Sequence, residues 1–260
     1  MNDSTSSPLQ LAVHTVGSGP PFVLFHGGMG SRNHWVRNID ALAAHFTVHA
    51  FDLPGYGDSP TVPKDTPQQD YVTMVMASLR TVVGDEPFDI AGFSFGSIIA
   101  AMSTVRLGGQ VRRLTMLGAG GFGPSAVLDM RPIPPESAGE AARRAVFRHN
   151  LGQLMIARPE NLTEEAVDLQ AANFRSTRFD GRHFSVTPNT PASLERMACP
   201  VQVVFGSEDA LWKGTLDQHL ATVRRVRPEA KIVLLPGAGH WVMFEEPEAV
   251  NRLLLEFHRA

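Results

Sequence analysis

A single cysteine, Cys199, stands in 260 residues. It excludes an internal disulfide and any thiolate cluster around a metal. No apolar run approaches the roughly 20 residues that span a bilayer, so nothing in the sequence marks a membrane protein. An excess of one charge is missing too. Lys and Arg number 23 against 26 Asp and Glu, a formal net charge of −3, which makes no electrostatic case for nucleic acid or an anionic membrane as partner. There is no internal repeat, low-complexity tract or charge block. The first ten residues are rich in Ser and Thr and lack the basic head and apolar stretch of a secretory signal, which predicts a cytoplasmic protein with a frayed start. What is present is core-forming material. Hydrophobic residues are 43% and charged residues 19%, the balance of a globular chain. The length suits one α/β domain, residues 1–260, that buries its core without staples.

Short apolar runs with Gly-rich exits recur along the chain. They cover residues 22–25, 46–51, 88–93, 114–117, 201–205 and 231–235. Helix-like segments lie between them at 33–45, 68–83, 95–107, 216–225 and 247–259. Apolar runs of four to six residues alternating with helices predict strands of a mostly parallel sheet, flanked by helices. Residues 9–16 add a strand before the first run. The alternation breaks once, at about residues 122–199. Pro124, Pro132, Pro134 and Pro135 make an irregular entry, and 138–156 and 163–174 read as helices. Thr163 is placed to cap the second of these, with Glu164 and Glu165 in its first turn. This segment is expected to be a small helical lid inserted in the α/β domain.

The chemistry centres on Gly92-Phe93-Ser94-Phe95-Gly96. A serine on a tight strand-to-helix turn is held in a strained conformation, its hydroxyl out above the sheet and amide N–H groups aimed at the same spot. The pattern also arises by chance as a Gly-rich turn with a solvated serine, so it needs partners. A serine hydroxyl needs a base, and the base an orienting acid. His240, in Gly237-Ala238-Gly239-His240-Trp241, follows the last apolar run on a loop that lets its ring reach the sheet edge. Without Ser94 it would read as a hydrogen-bonded surface residue. His26 ends a strand within a glycine loop and reads as backbone support. The other histidines lack such a context, and none falls at metal-ligand spacing, so no metal and no cofactor is expected. For the acid, Asp209 follows the 201–205 run, where sites of open α/β sheets lie. Its neighbour Glu208 is the alternative.

These residues, in this order, resemble the lid-bearing branch of the α/β-hydrolase superfamily. The resemblance spans nearly the whole chain. It is carried by His26-Gly27-Gly28-Met29-Gly30, Asp52-Leu53-Pro54-Gly55-Tyr56-Gly57-Asp58-Ser59, the serine turn, Gly206 to Asp209, and Gly239-His240. It implies an oxyanion hole from the amides of Gly28 and Phe95, with Met29 one residue out of register. It assigns Asp52 to Ser59 to a structural turn. Serine at the turn, where dehalogenases and epoxide hydrolases of this fold carry Asp, implies an acyl-enzyme or a serine-assisted water. Trp241 after the histidine, and Arg175, Arg178 and Arg182 in the lid, are similar to hydrolases that cut carbon–carbon bonds in ring-cleavage products. Phe93, where those enzymes usually have Asn, and the shorter glycine loop depart from them.

The expected function is a serine hydrolase acting on a small, hydrophobic acyl compound through Ser94, His240 and Asp209. A carbon–carbon hydrolase of a diketo or dienoic acid, a lyase or acyltransferase, and a non-turnover ligand receptor are the rivals. Trp35, Arg175, Arg178 and Trp241 are the expected substrate contacts. Phe95, Phe122, Met130, Phe147, Leu154, Met155, Trp212 and Met243 are apolar candidates for the pocket or core. The expected partner is a small-molecule substrate, with a homo-oligomer left open.

Overall fold

The computed structural model describes residues 9–260. Residues 1–8 of the Ser/Thr-rich start lie outside the described residues, and the expectation for them with it. Seven strands form one sheet: β1 (Val13–Val16), β2 (Pro21–Phe25), β3 (Thr47–Phe51), β4 (Phe88–Phe93), β5 (Val111–Leu117), β6 (Val201–Gly206) and β7 (Lys231–Leu235), in the order β1-β3-β2-β4-β5-β6-β7. Only β1 runs antiparallel, against β3; every other pairing is parallel. The central strand β4 is buried along its whole length, because helices cover both faces of a parallel sheet. That is why its sequence is an unbroken apolar run rather than an alternating one. At the edge, β7 is half exposed and opens on a lysine, which discourages further strand pairing.

Ten helices accompany the sheet among the described residues. Ahead of β5 come α1 (Ile39–Ala43), α2 (Gln68–Val83) and α3 (Phe95–Leu107). Buried Tyr71, Val72, Val75, Met76, Leu79 and Val83 recur at helical spacing along one face of α2. By contrast α3 is buried nearly all round from Phe95 to Thr104, because it lies between the sheet and the segment that follows β5. That segment carries α4 (Glu140–Leu154), α5 (Glu164–Arg175), α6 (Arg182–Ser185) and α7 (Asn189–Arg196), and no strand. The last helices are α8 (Leu216–Val226), α9 (Val242–Glu245) and α10 (Pro247–His258). None is long and apolar enough to cross a membrane.

Three expectations change in detail. The helix expected at 33–45 is a 3-10 turn, Arg32–Trp35, followed by the short α1. Trp35 is fully buried there, with its indole N–H donating to Phe25 O at 3.2 Å, so the chain turns to seat the ring. The first strand spans four residues rather than eight. Residues 182–196 hold two helices that were not expected. The Thr163 cap is formed: its hydroxyl accepts the Ala166 N–H at 3.3 Å.

The insertion is bound to the sheet's carboxyl edge by mixed contacts. Tyr71 stacks on Phe179 with 4.8 Å between centroids, and Phe95 meets Phe184 edge-on at 5.3 Å. Ser31 donates to Asn173 of α5 at 2.7 Å.

Candidate active site

Ser94 follows β4 directly and precedes the first residue of α3. Its φ is +50°, a region costly for a residue with a side chain. Glycines on either side allow the turn. A Cβ on Gly92 would strike the Gly96 carbonyl and Ser97, and one on Gly96 would strike the carbonyls of Phe25 and His26. The Gly-x-Ser-x-Gly spacing is therefore what lets α3 start hard against β2 and β4. The Ser97 hydroxyl braces the turn, donating to Ser94 O at 2.5 Å.

The loops after β6 and β7 are laced together. The N–H of Ser207 donates to Leu235 O at 3.0 Å, and that of Glu208 to Ala238 O at 2.9 Å. This brings Asp209 to His240: the ring Nδ1 and carboxylate Oδ2 are 2.8 Å apart, both side chains buried. With Nδ1–H donating to the carboxylate, Nε2 is left as the free acceptor. The other carboxylate oxygen accepts the Leu211 N–H at 3.1 Å. Glu208 points away, exposed, toward Ser207. Of the two adjacent carboxylates, the structure brings only Asp209 to the histidine.

Ser94 and His240 open on one cavity of about 650 Å³. No hydrogen bond joins them, a spacing common where no substrate is bound. Gly28 and Phe95 line the same cavity, with no chain acceptor for either amide N–H. Two non-glycine residues have positive φ among the described residues, Ser94 and Met29 (φ +48°), and both border this cavity. The strain at Met29 was not anticipated; its position within Gly-Gly-x-Gly is the one signal for it.

The loop that carries Gly28 is supported by two histidines. His26 Nε2 accepts the Leu53 N–H at 2.9 Å while Nδ1 donates to Gly27 O at 2.7 Å, so the ring is neutral. Burial pushes its pKa down to about 4. His34 Nδ1 accepts the Gly27 N–H at 3.1 Å, and burial, then the neighbouring His26 and His240, hold it well below the ordinary histidine value. His34 was not singled out. Asp52 is buried and accepts from the Arg32 side chain at 2.5 Å and from the Asp58 N–H at 3.0 Å, the role of a structural turn.

Three of the four expected substrate contacts are corrected, and the fourth does not reach the cavity. Trp35 is core, as above. Trp241 is fully buried, stacks on Phe244 at 4.3 Å and donates to His34 O at 2.9 Å. Arg178 is spent on the 55–61 turn, donating to Gly57 O, Ser59 O and Thr61 at 2.5–3.0 Å. Arg175 is exposed and outside the cavity lining. Arg182 does border the cavity, with its guanidinium paired to Asp180. The apolar wall is built instead by Phe93, Phe95, Phe147, Leu154, Met155 and Trp212. Phe122 packs on His219, and Met243 is core. Among the described residues no group of three His, Cys, Asp or Glu is arranged to hold a metal ion.

A mostly parallel sheet of this order, with a serine on the turn after its central strand and an Asp–His pair on the loops of later strands, defines an α/β-hydrolase fold. The chain belongs to the Alpha/beta hydrolase family, whose family model matches residues 22–253. It is 27% identical to a 2-hydroxy-6-oxononadienedioate/2-hydroxy-6-oxononatrienedioate hydrolase of Burkholderia vietnamiensis, over 96% of this chain and 92% of that protein. Its fold is similar to that of a meta-cleavage product hydrolase from Pseudomonas fluorescens IP01, with TM-score 0.76, 20% identity, and 96% and 94% of the two chains covered. It is equally similar to that of an esterase from Rhodococcus sp. ECU1013, with TM-score 0.76, 19% identity, and 95% and 94% covered.

Proposed function

We propose that the chain is a serine hydrolase that cleaves a small, hydrophobic acyl compound such as a carboxylic ester. The observation that carries this reading is the buried Asp209–His240 pair, 2.8 Å apart, in the wall of an apolar cavity onto which strained Ser94 opens. Ser94 Oγ attacks the carbonyl carbon while His240 Nε2 takes its proton. The amides of Gly28 and Phe95 hold the oxyanion, each donor contributing about 3 kcal/mol. Collapse of the tetrahedral intermediate breaks the bond to the leaving alcohol, which takes the proton back from His240. Water then attacks the acyl-enzyme with His240 again as base, and Ser94 is released. Asp209 fixes the tautomer and stabilises the imidazolium.

Carbon–carbon cleavage of a diketo acid is the second reading, favoured by the name of the Burkholderia relative. The three lid arginines argue against it: Arg178 is committed to the chain's own carbonyls, Arg175 lies outside the cavity, and Arg182 is paired with Asp180. Arg131, which also borders the cavity, is the one cavity arginine whose contacts among the described residues are made by its backbone alone. A clamp for a substrate carboxylate needs a guanidinium that is not already matched.

The test is labelling and turnover together. A fluorophosphonate should modify Ser94 alone, and Ser94→Ala should lose the label and about a million-fold in turnover. Labelling of another serine with Ser94 untouched sinks the assignment. Chain-graded p-nitrophenyl esters assayed beside dienoic keto acids separate the two chemistries. Selective loss of the keto acid activity in Arg131→Ala or Arg182→Ala would favour carbon–carbon cleavage.

A further inference from the structure

Glu245, at the end of α9, is a buried carboxylate five residues after His240. Burial raises its pKa, against the pull of three backbone N–H donors. Those donors come from two places. Oε2 accepts the Gly239 N–H at 2.6 Å, and Oε1 accepts the N–H groups of Ala157 and Arg158 at 3.0 and 2.9 Å. Gly239 directly precedes the histidine, and a Cβ there would lie 2.7 Å from Ala157 N. Residues 155–158 follow α4, whose Leu151 and Leu154 border the cavity, as does Met155. Two further ties join the same segments. The Trp241 N–H donates to Met155 O at 2.8 Å, and the Arg158 guanidinium donates to Pro236 O at 2.7 Å and Gly237 O at 3.3 Å. A buried carboxylate is costly unless its hydrogen bonds are met. Here they are met by the very groups that fix the histidine loop to the wall of the cavity.

We propose that Glu245, seconded by Arg158, is a positioning residue that holds the His240 loop to the end of α4. Substrate seated against α4 then bears on the segment that sets the ring's place over Ser94. This rests on the serine hydrolase reading above. Loss of the clamp leaves binding nearly intact but lets the imidazole drift, and small misplacements of a reacting group cost heavily.

The experiment uses Glu245→Gln, Arg158→Met and, as a control, Thr115→Val, which disturbs a buried hydrogen bond to His258 in the middle of the sheet. Three readouts are taken: kcat and KM for a short p-nitrophenyl ester, the thermal transition, and the downfield proton NMR signal of His240 Nδ1–H. In Glu245→Gln, kcat should fall about 10- to 100-fold, with KM within about threefold and the histidine signal shifted or broadened. Arg158→Met, at a half-exposed site and so safe for folding, should move both readouts in the same direction by less. Thr115→Val should lower the thermal transition and move neither. Wild-type kcat and histidine signal in the two clamp variants overturn the proposal, as does an equal kcat loss in the control at equal stability. If Glu245→Gln does not fold, Arg158→Met decides. If the wild type neither takes the fluorophosphonate nor cleaves ester, the hydrolase reading has failed, and the histidine signal alone still judges the clamp.

Discussion

The Asp209 carboxylate gives one oxygen to His240 and the other to the Leu211 N–H, so an amide in its place would present one N–H to a donor. Asp209→Asn should fold normally and lose roughly four orders of magnitude in kcat, because the imidazole would be held in the wrong tautomer. Glu208→Gln, which touches only Ser207, should stay within about threefold of wild type. Ester kinetics on the purified variants check both, and a reversed pair of effects would place the acid at 208. At this scale the sequence was informative where chemistry and spacing coincide. Ser94, Asp209 and His240 sit just past apolar runs, and the strands deliver them to one edge. It was uninformative where burial decides. Trp35 and Trp241 carry the same ring whether they face substrate or core, and only the packing of Phe25, His34 and Phe244 around them settles which.

Elements show the same division. The parallel strands were legible because burial on both faces leaves unbroken apolar runs, and α2, α4 and α5 because their apolar residues recur at helical spacing. The 182–196 helices were hidden. The first is one turn long, and the second begins among prolines, Pro188 and Pro191. Arg178 was misread because three of its four side-chain partners, the carbonyls of Gly57 and Ser59 and the Thr61 hydroxyl, lie more than a hundred residues away, a pairing no local pattern reveals. Its place as a strut between the insertion and the 55–61 turn makes a stability prediction. Arg178→Met strands several carbonyls and should cost about 1–3 kcal/mol. Arg175→Met, three residues earlier and exposed, should stay within about 0.5 kcal/mol. Urea unfolding at neutral pH measures both, and equal effects would remove the strut.

Across the whole fold, four buried histidines among the described residues have a pKa lowered by burial: His26, His34, His49 and His258. At His258 the pairing with Asp89 opposes that shift. A depressed folded-state pKa means that the unfolded chain takes up protons first. The stability these groups contribute is therefore full above the unfolded value near 6.5 and falls as pH drops toward the folded value, about 4 for His26. His26 alone is worth about 3 kcal/mol across that window. The thermal transition should be flat from pH 8 to 7 and decline steeply between pH 6.5 and 4. A level profile through that range would contradict these lowered pKa values.

The helical insertion leaves the sheet after β5 and returns at β6, and these strands lie side by side, Leu114 opposite Val201. Because the two strands are parallel, the insertion leaves at the carboxyl end of β5 and returns at the amino end of β6, an offset of three residues or roughly 10 Å along the strands, so part of it must serve as the crossover between them. A graft from a relative would need only two junctions, neither of them at Ser94, Asp209 or His240. What a graft would not bring is a partner for Glu245 and Trp241. Those two reach out of the host to residues 155–158 of the guest. Chimeras that exchange the insertion for new specificity should therefore retain residues 155–158 of this chain within the graft, at the cost of two further junctions.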